Sequence, residues 1–264
     1  MSAPTVQVET RGAVALVTLN RPDSGNALNL QMAMDLLAAA MTCARNSVVR
    51  AVVLTGAGRN FCFGGDLRAM DSHDTSGDDY IRELTTYLHA AISQFVRMDA
   101  PVIAAVKGSA AGAGVGLVAM ADLALCARGA RFNLAYTNAG LTPDAGTSFL
   151  LPRTLGVKRT MELLLLNRNL PATEALDWGL VNEVVAEEQL LSRAFELAEQ
   201  LARGASSAYG ATKRLIAHSL GAFESQMVLE SETIARHAVS AEGAEGVSAF
   251  LEKRKPQFPG RGSR

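Results

Sequence analysis

One passage of the 264-residue chain, Val102 to Gly116 (VIAAVKGSAAGAGVG), limits the possible folds more than any other. Val102 to Val106 is an unbroken apolar run of strand length, as found in strands buried on both faces. Lys107-Gly108 interrupts it, and Ser109 to Gly116 then holds nothing larger than valine. A helix of such small residues, opening near Gly112, can pack closely against a neighbour. Its N-terminus also leaves backbone N–H groups uncovered, as phosphate sites and oxyanion holes require. The order is not the G-x-G-x-x-G of a dinucleotide site, because Gly112-Ala113-Gly114 is followed by Gly116.

Strand and helix alternate on either side of this passage. Val14 to Leu19 has a strand pattern closed by the turn Arg21-Pro22-Asp23, and Ala51 to Thr55 is a second strand. Between them Asn29 is placed to cap a helix with Leu30, Met34, Leu37 and Met41 on one face. Gly56 to Gly65 is a glycine-rich loop. Asp71 to Asp79 is polar enough to be mobile, or ordered only by a ligand or partner. A long helix from about Tyr80 to Met98 ends before Pro101, and Leu123 to Ala127 reads as a further strand. From Val157 the pattern is mostly helical (Met161 to Leu166, Leu190 to Leu201, Thr212 to Leu220, Phe223 to His237), with Leu180 to Val185 the exception. These elements describe an α/β chain: a core of repeated strand-strand-helix units over residues 1–200, then a helical region, 201–264, that covers the core or packs on another subunit.

Charge and composition exclude several functions. Lys and Arg total 25 against 26 Asp and Glu, so there is no broad positive field for nucleic acid or an acidic membrane. No basic N-terminal region precedes an apolar run, and no stretch approaches about 18 apolar residues, so a cytoplasmic protein is expected. Cys43, Cys62 and Cys126 are far apart and have no His or Cys at ligand spacing. They read as reduced packing residues, with no metal site.

Two glycine segments, Phe61-Cys62-Phe63-Gly64-Gly65-Asp66-Leu67 and Gly108-Ser109-Ala110-Ala111-Gly112-Ala113-Gly114, gain meaning from their company. They fall in order with Asn20-Arg21-Pro22, Asn26-Ala27-Leu28-Asn29, Ala121-Asp122, Gly140-Leu141-Thr142-Pro143-Asp144 and Ala175-Leu176-Asp177-Trp178-Gly179-Leu180-Val181. In these words the chain resembles the enoyl-CoA hydratase/isomerase (crotonase) family from end to end. The resemblance implies a spiral of ββα units with a C-terminal helical region, assembled as trimers or pairs of trimers. It also implies an acyl-CoA thioester as substrate, with coenzyme A part of that substrate and no separate cofactor. The N–H groups of Gly65 and Ala113 would hold the thioester oxygen, each such donor contributing about 3 kcal/mol as charge develops. Ala113 stands where the family usually has glycine. The family's CoA contacts map onto Arg21, Ala27, Phe63, Gly64, Asp66 and Leu67. Lys253, Arg254 and Lys255 are candidates for the phosphates, and equally fit a solvated charge run closing a helix.

Family hydratases activate water with two glutamates, and the matching positions here are Gly116 and Tyr136. Hydration by that pair is therefore disfavoured. The carboxylate that remains is Asp144, which resembles the aspartate of the family's dienoyl-CoA and ring-opening epoxyphenylacetyl-CoA isomerases. Beside an oxyanion hole such a group moves a proton along the acyl chain, taking it from one carbon and returning it to another. Asp144 also fits a helix cap. The family's chlorobenzoyl-CoA dehalogenases suggest a different chemistry: an aspartate matching Asp144 attacks the ring, a histidine matching His89 activates water, and tryptophan replaces Tyr136. His89, between Leu88 and Ala90 in mid-helix, fits packing as well. Tyr136 either hydrogen-bonds the substrate or fills the acyl pocket. The chain is thus expected to be an enoyl-CoA isomerase, with an aryl-acyl-CoA dehalogenase or hydrolase and a noncatalytic acyl-CoA binder as alternatives. The acyl group would depend on Tyr87, Phe132, Tyr136 and the segment from Asp71 to Asp79, while His73, His218 and His237 lie outside every motif.

Overall fold

The computed structural model describes residues 4–71, 77–219 and 221–257. A six-stranded sheet runs in the order β1 (Val6–Arg11), β2 (Val14–Leu19), β3 (Ala51–Gly56), β4 (Val102–Val106), β6 (Leu123–Ala127), β9 (Glu183–Val185). Only β1 and β2 pair antiparallel; every later neighbour is parallel. β1 was not legible in the sequence. It is an edge strand with five of its six residues exposed, so it carries no burial alternation.

Strands β3 and β4 are buried along their whole length because both sheet faces are covered. Alternate residues serve two cores: Ala51, Val53, Ile103 and Ala105 meet Leu190, Ala194, Ala198 and Ala202 of α8 (Leu190–Ala202). Val52, Leu54, Val102 and Ala104 belong to the larger core, shared with α1 (Leu30–Arg45) and α3 (Gly77–Arg97). The unbroken apolar runs of the sequence thus supply both sides of a parallel sheet.

A second, three-stranded sheet is made by β5 (Ser109–Ala111), β7 (Arg131–Asn133) and β8 (Leu170–Pro171). In the chain, β4 leads to β5 and then to the helix α4 (Ala113–Ala119), while β6 leads to β7. This is the α/β spiral of ββα units implied by the resemblance. The remaining helices are α2 (Leu67–Asp71), α5 (Thr147–Thr154), α6 (Val157–Leu166), α7 (Ala172–Asp177), α9 (Ser206–Ser219), α10 (Phe223–Ala238) and α11 (Ala241–Leu251). α9 and α10 pack on α3 of the same chain, and α11 packs on α2 and the turn Thr137–Ala139. Lys213 of α9 reaches Asp122 at 2.6 Å, and Asp122 accepts the Val102 N–H at 2.7 Å, fastening the helical region to the sheet.

The polar segment from Asp71 to Asp79 is shorter as a loop than expected. Asp71 ends α2 and α3 already starts at Gly77; residues 72–76, including His73, lie outside the described residues. Among the described residues no helix is long and apolar enough to cross a membrane.

The loops after β2 and β3 are joined by Asn26, buried with a left-handed φ of 56°. Its Oδ1 accepts the Arg21 N–H at 2.9 Å, and its Nδ2 donates to Ala57 O and Asn60 O, each at 2.9 Å. Asn26→Ala strands all three partners, so it should cost about 2–4 kcal/mol in equilibrium urea unfolding; an unchanged midpoint would mean that the loops hold without it.

Candidate active site

Loops at the carboxyl ends of the parallel strands converge on one cleft, the usual ligand position in such sheets. The loop after β3 is held there by its backbone. Leu28 N–H donates to Gly64 O at 2.7 Å, Asp66 N–H to Leu28 O at 2.9 Å, Phe63 N–H to Gly25 O at 3.0 Å and Ala111 N–H to Cys62 O at 2.8 Å. Gly64, with φ of 79°, lies so close to the next turn that a Cβ on it would stand 2.7 Å from Ala111 O and 3.2 Å from Ala113 N. The main chains around Gly65 and Ala113 therefore abut. Gly65 lines the cleft and its N–H meets no backbone acceptor among the described residues. Ala113 opens α4, so its N–H has no acceptor within the helix. Its side chain is buried, and Gly112 lines the cleft beside it.

The walls are mostly apolar. Leu67 and Met70 come from α2, Tyr80, Ile81 and Leu84 from α3, Leu134 to Tyr136, Ala139 and Leu141 from the segment after β7, and Ile234 from α10. Of the residues expected to shape the acyl pocket, Tyr136 lines it and Tyr87 and Phe132 do not; Phe132 is in the core. Tyr80, Ile81, Leu84 and Ile234 gave no signal beyond helical amphipathicity, which is the same for a helix face against a cavity as for one against a core.

Asp144 is also in the cleft wall, 5% exposed. Its Oδ1 accepts the Tyr136 hydroxyl at 2.6 Å. Burial pushes the carboxyl up to about 6, with the Tyr136 bond pulling the other way. Burial, reinforced by Asp144, holds the Tyr136 phenol well above its ordinary range, so it serves as a neutral donor. Asp144 does not cap the following helix. Gly146 is the N-cap of α5 without a side-chain bond of its own, and the carboxylate that serves this end is Glu230 of α10, accepting Gly146 N–H at 2.7 Å and Ser148 N–H at 3.0 Å. Nothing in the sequence singled out Glu230, one of many acidic residues on C-terminal helices.

His89 is not in the cleft wall. Its Nε2 accepts the Ala145 N–H at 3.1 Å, and burial lowers its pKa to about 4, with the Met227 main chain pulling it back up. The lone pair needed to activate water is thus already committed, and the expectation of a water-activating His89 is not met by this geometry. Gly116 is packed as well: a Cβ there would stand 2.6 Å from Ala145 O, so no glutamate fits while the Asp144 loop holds its place.

Of the residues matched to CoA contacts, Phe63, Asp66 and Leu67 line the cleft, while Arg21, Ala27 and Gly64 lie behind them in the chain's own contacts. Arg21 pairs with Asp66 at 2.9 Å and donates to Ala27 O, so its charge braces the rim from within. Phe63 stands exposed at the edge. Arg254 is likewise engaged, with Glu245 at 2.6 and 2.9 Å and Glu252 at 2.6 Å, while Lys253 and Lys255 are exposed. Burial pushes the Cys43 thiol up to about 11 and those of Cys62 and Cys126 up to about 12. Among the described residues no cluster of side chains could hold a metal ion.

His89→Ala should leave the Ala145 N–H unpaired and cost about 1–3 kcal/mol at pH 7. Because the folded-state pKa, about 4, lies below the ordinary 6.5, the native protein loses His89's contribution as pH falls from 6.5 toward 4. Urea melts across that window should therefore show a shallower acid loss in the variant than in the parent.

Comparison with known proteins fits this geometry. A family model described as enoyl-CoA hydratase/isomerase matches residues 9–261. The chain is 37% identical over 250 residues to 1,2-epoxyphenylacetyl-CoA isomerase of Escherichia coli (strain K12), covering 94% of this chain and 95% of that one. It is 38% identical over 212 residues to 4-chlorobenzoyl coenzyme A dehalogenase-2 of Arthrobacter sp, covering 80% and 77%. A crystal structure of an enoyl-CoA hydratase from Mycobacterium avium subsp. paratuberculosis K-10 superposes with a TM-score of 0.87 at 31% identity, covering 97% and 98%. With its spiral fold and its backbone-built cleft, the chain belongs to the enoyl-CoA hydratase/isomerase family.

Proposed function

We propose that this family member is an enoyl-CoA isomerase in which Asp144 is the proton-transferring base. The observation that carries this is the state of Asp144: an apolar cleft holds it buried, hydrogen-bonded by Tyr136 and, among the described residues, paired with no cation, whereas Asp66, also on the wall, is tied to Arg21. The glutamate pair of a hydratase has no counterpart at Gly116 and Tyr136.

In this mechanism the Asp144 carboxylate removes a proton from the acyl chain of a CoA thioester. The electron pair moves toward the thioester oxygen, which the Gly65 and Ala113 N–H groups receive as it becomes an enolate oxygen. The Asp144 carboxyl then returns the proton to a carbon further along, and the double bond has moved with no net change in composition. Tyr136 keeps one carboxyl oxygen fixed while the other works. Coenzyme A enters and leaves as part of the substrate, so the chemistry calls for no separate cofactor. The similarity to an epoxyphenylacetyl-CoA isomerase over nearly the whole chain supports the same branch. Dehalogenation would need a base for water, and His89 is occupied.

We place the enzyme in the cytoplasm and infer a trimer or pair of trimers. Val157, Met161, Leu165 and Leu166 form an exposed apolar stretch of α6 that neighbouring subunits would cover.

Asp144→Asn should lower turnover by roughly 100- to 10,000-fold, read as deuterium uptake from heavy water and double-bond migration in a panel of enoyl-CoA esters by mass spectrometry. Exchange at the parent rate in that variant would defeat the proposal. The base form is needed, so kcat/KM should rise with pH, with its midpoint at about 6, and level off once the carboxyl is fully ionised.

A further inference from the structure

We propose that Glu230 is a positioning residue for Asp144: from α10 it grips the main chain of residues 146 and 148 and so holds the catalytic loop against the cleft. This rests on Asp144 being the base. The segment after Asp144 is held in an unfavourable shape. Ala145 and Gly146 are consecutive left-handed residues, at φ of 55° and 74°, a path that persists only where its surroundings over-determine it.

Three outside groups provide that restraint. Tyr136 fixes the Asp144 carboxyl, His89 of α3 accepts the Ala145 N–H, and Glu230 of α10 accepts the N–H groups of both Gly146 and Ser148 as well as the Ser148 hydroxyl. Gln226, one turn earlier on α10, donates to the same Ser148 hydroxyl at 2.8 Å. Glu230 is 3% exposed, so these donors replace its water.

The helix that brings this carboxylate also builds the cleft, since Ile234 lies one turn further along α10 and lines the wall. α10 is in turn fastened to α3 by the Thr85 and Ser231 hydroxyls, 2.5 Å apart. The seating of α10 therefore sets the acyl wall and the base together.

The electrostatics agree. Burial raises Glu230 to about 7, the Ser148 and Gly146 bonds oppose this, and Asp144 adds repulsion. The titratable groups acting around it are Asp144 and Tyr136, with His89 on the facing helix, and no basic side chain pairs with it among the described residues. Two buried carboxylates thus share one loop. Asp144 ionises first and its charge raises Glu230, so Glu230 is largely neutral where the base titrates.

The test uses the full chain with Glu230→Gln, Glu230→Ala, Ser148→Ala, Asp144→Asn and the double variant Asp144→Asn with Glu230→Gln, assayed by isomerisation of an enoyl-CoA ester from pH 5 to 9. Glu230→Gln should lower kcat by about 10- to 100-fold with KM within about threefold, as for a displaced reacting group, with the acid limb staying near that of the parent. Glu230→Ala should lose more. Ser148→Ala, which keeps both N–H bonds, should show the same pattern at about three- to tenfold, and stands in if the Glu230 variants fail to fold. The double variant should be no slower than Asp144→Asn alone, because Glu230 acts through that residue. An unchanged kcat in whichever of the Glu230 and Ser148 variants fold, or a further loss in the double variant, overturns the inference. If Asp144→Asn keeps parent activity, the assignment of the base has failed instead.

Discussion

Main-chain contact made possible by missing side chains is the constraint on which this molecule depends. Added Cβ atoms would lie 2.7 Å from Ala111 O at Gly64, 2.4 Å from Cys62 O at Gly114 and 2.6 Å from Ala145 O at Gly116. One short helix, α4, therefore touches the loop after β3 on one side and the Asp144 loop on the other with nothing between. Side chains would add apolar burial at each contact but would separate the three segments by the width of a methyl group or more. The chain gives up that burial, and what it gains is a cleft in which Gly65, the start of α4 and Asp144 are carried by directly abutting pieces of backbone.

That design explains how much could be read from the sequence. The buried strand Val102–Val106, the small-residue helix after it and the two glycine loops were legible because their demands are local: a run of apolar residues, or the absence of side chains. Asp144 and Tyr136 were legible by resemblance. The edge strand Val6–Arg11 was not, since its exposure leaves no pattern. Neither was the part taken by α10, because Glu230 and Ile234 gain their meaning from Ser148 and the cleft, across 82 residues in the case of Glu230. His89 shows the same limit from the other direction. Its position fits a catalytic histidine, and only the Ala145 N–H lying against it reveals a bracing role.

Among the described residues, the buried polar groups around Asp144 include no cation. Tyr136, His89 and Glu230 come from separate segments and meet around the loop that carries Asp144: Tyr136 donates to Asp144 Oδ1, His89 accepts the Ala145 N–H, and Glu230 accepts the Gly146 N–H and the Ser148 hydroxyl. A cation would have stabilised the two carboxylates more cheaply, but it would also have held Asp144 ionised and weakly basic. Neutral donors leave its affinity for a proton close to the range in which it can both take and return one.

The fit of Gly116 against Ala145 bears on how such enzymes change their reaction over evolutionary time. A glutamate at residue 116 would have to displace a loop that His89 and Glu230 hold from two other helices. A mutation there, arriving alone, damages the existing site before it supplies a new one. Placing a glutamate at residue 116 would call for permissive changes on α3 and α10 first, so descent within this fold is channelled by epistasis between segments far apart in the chain.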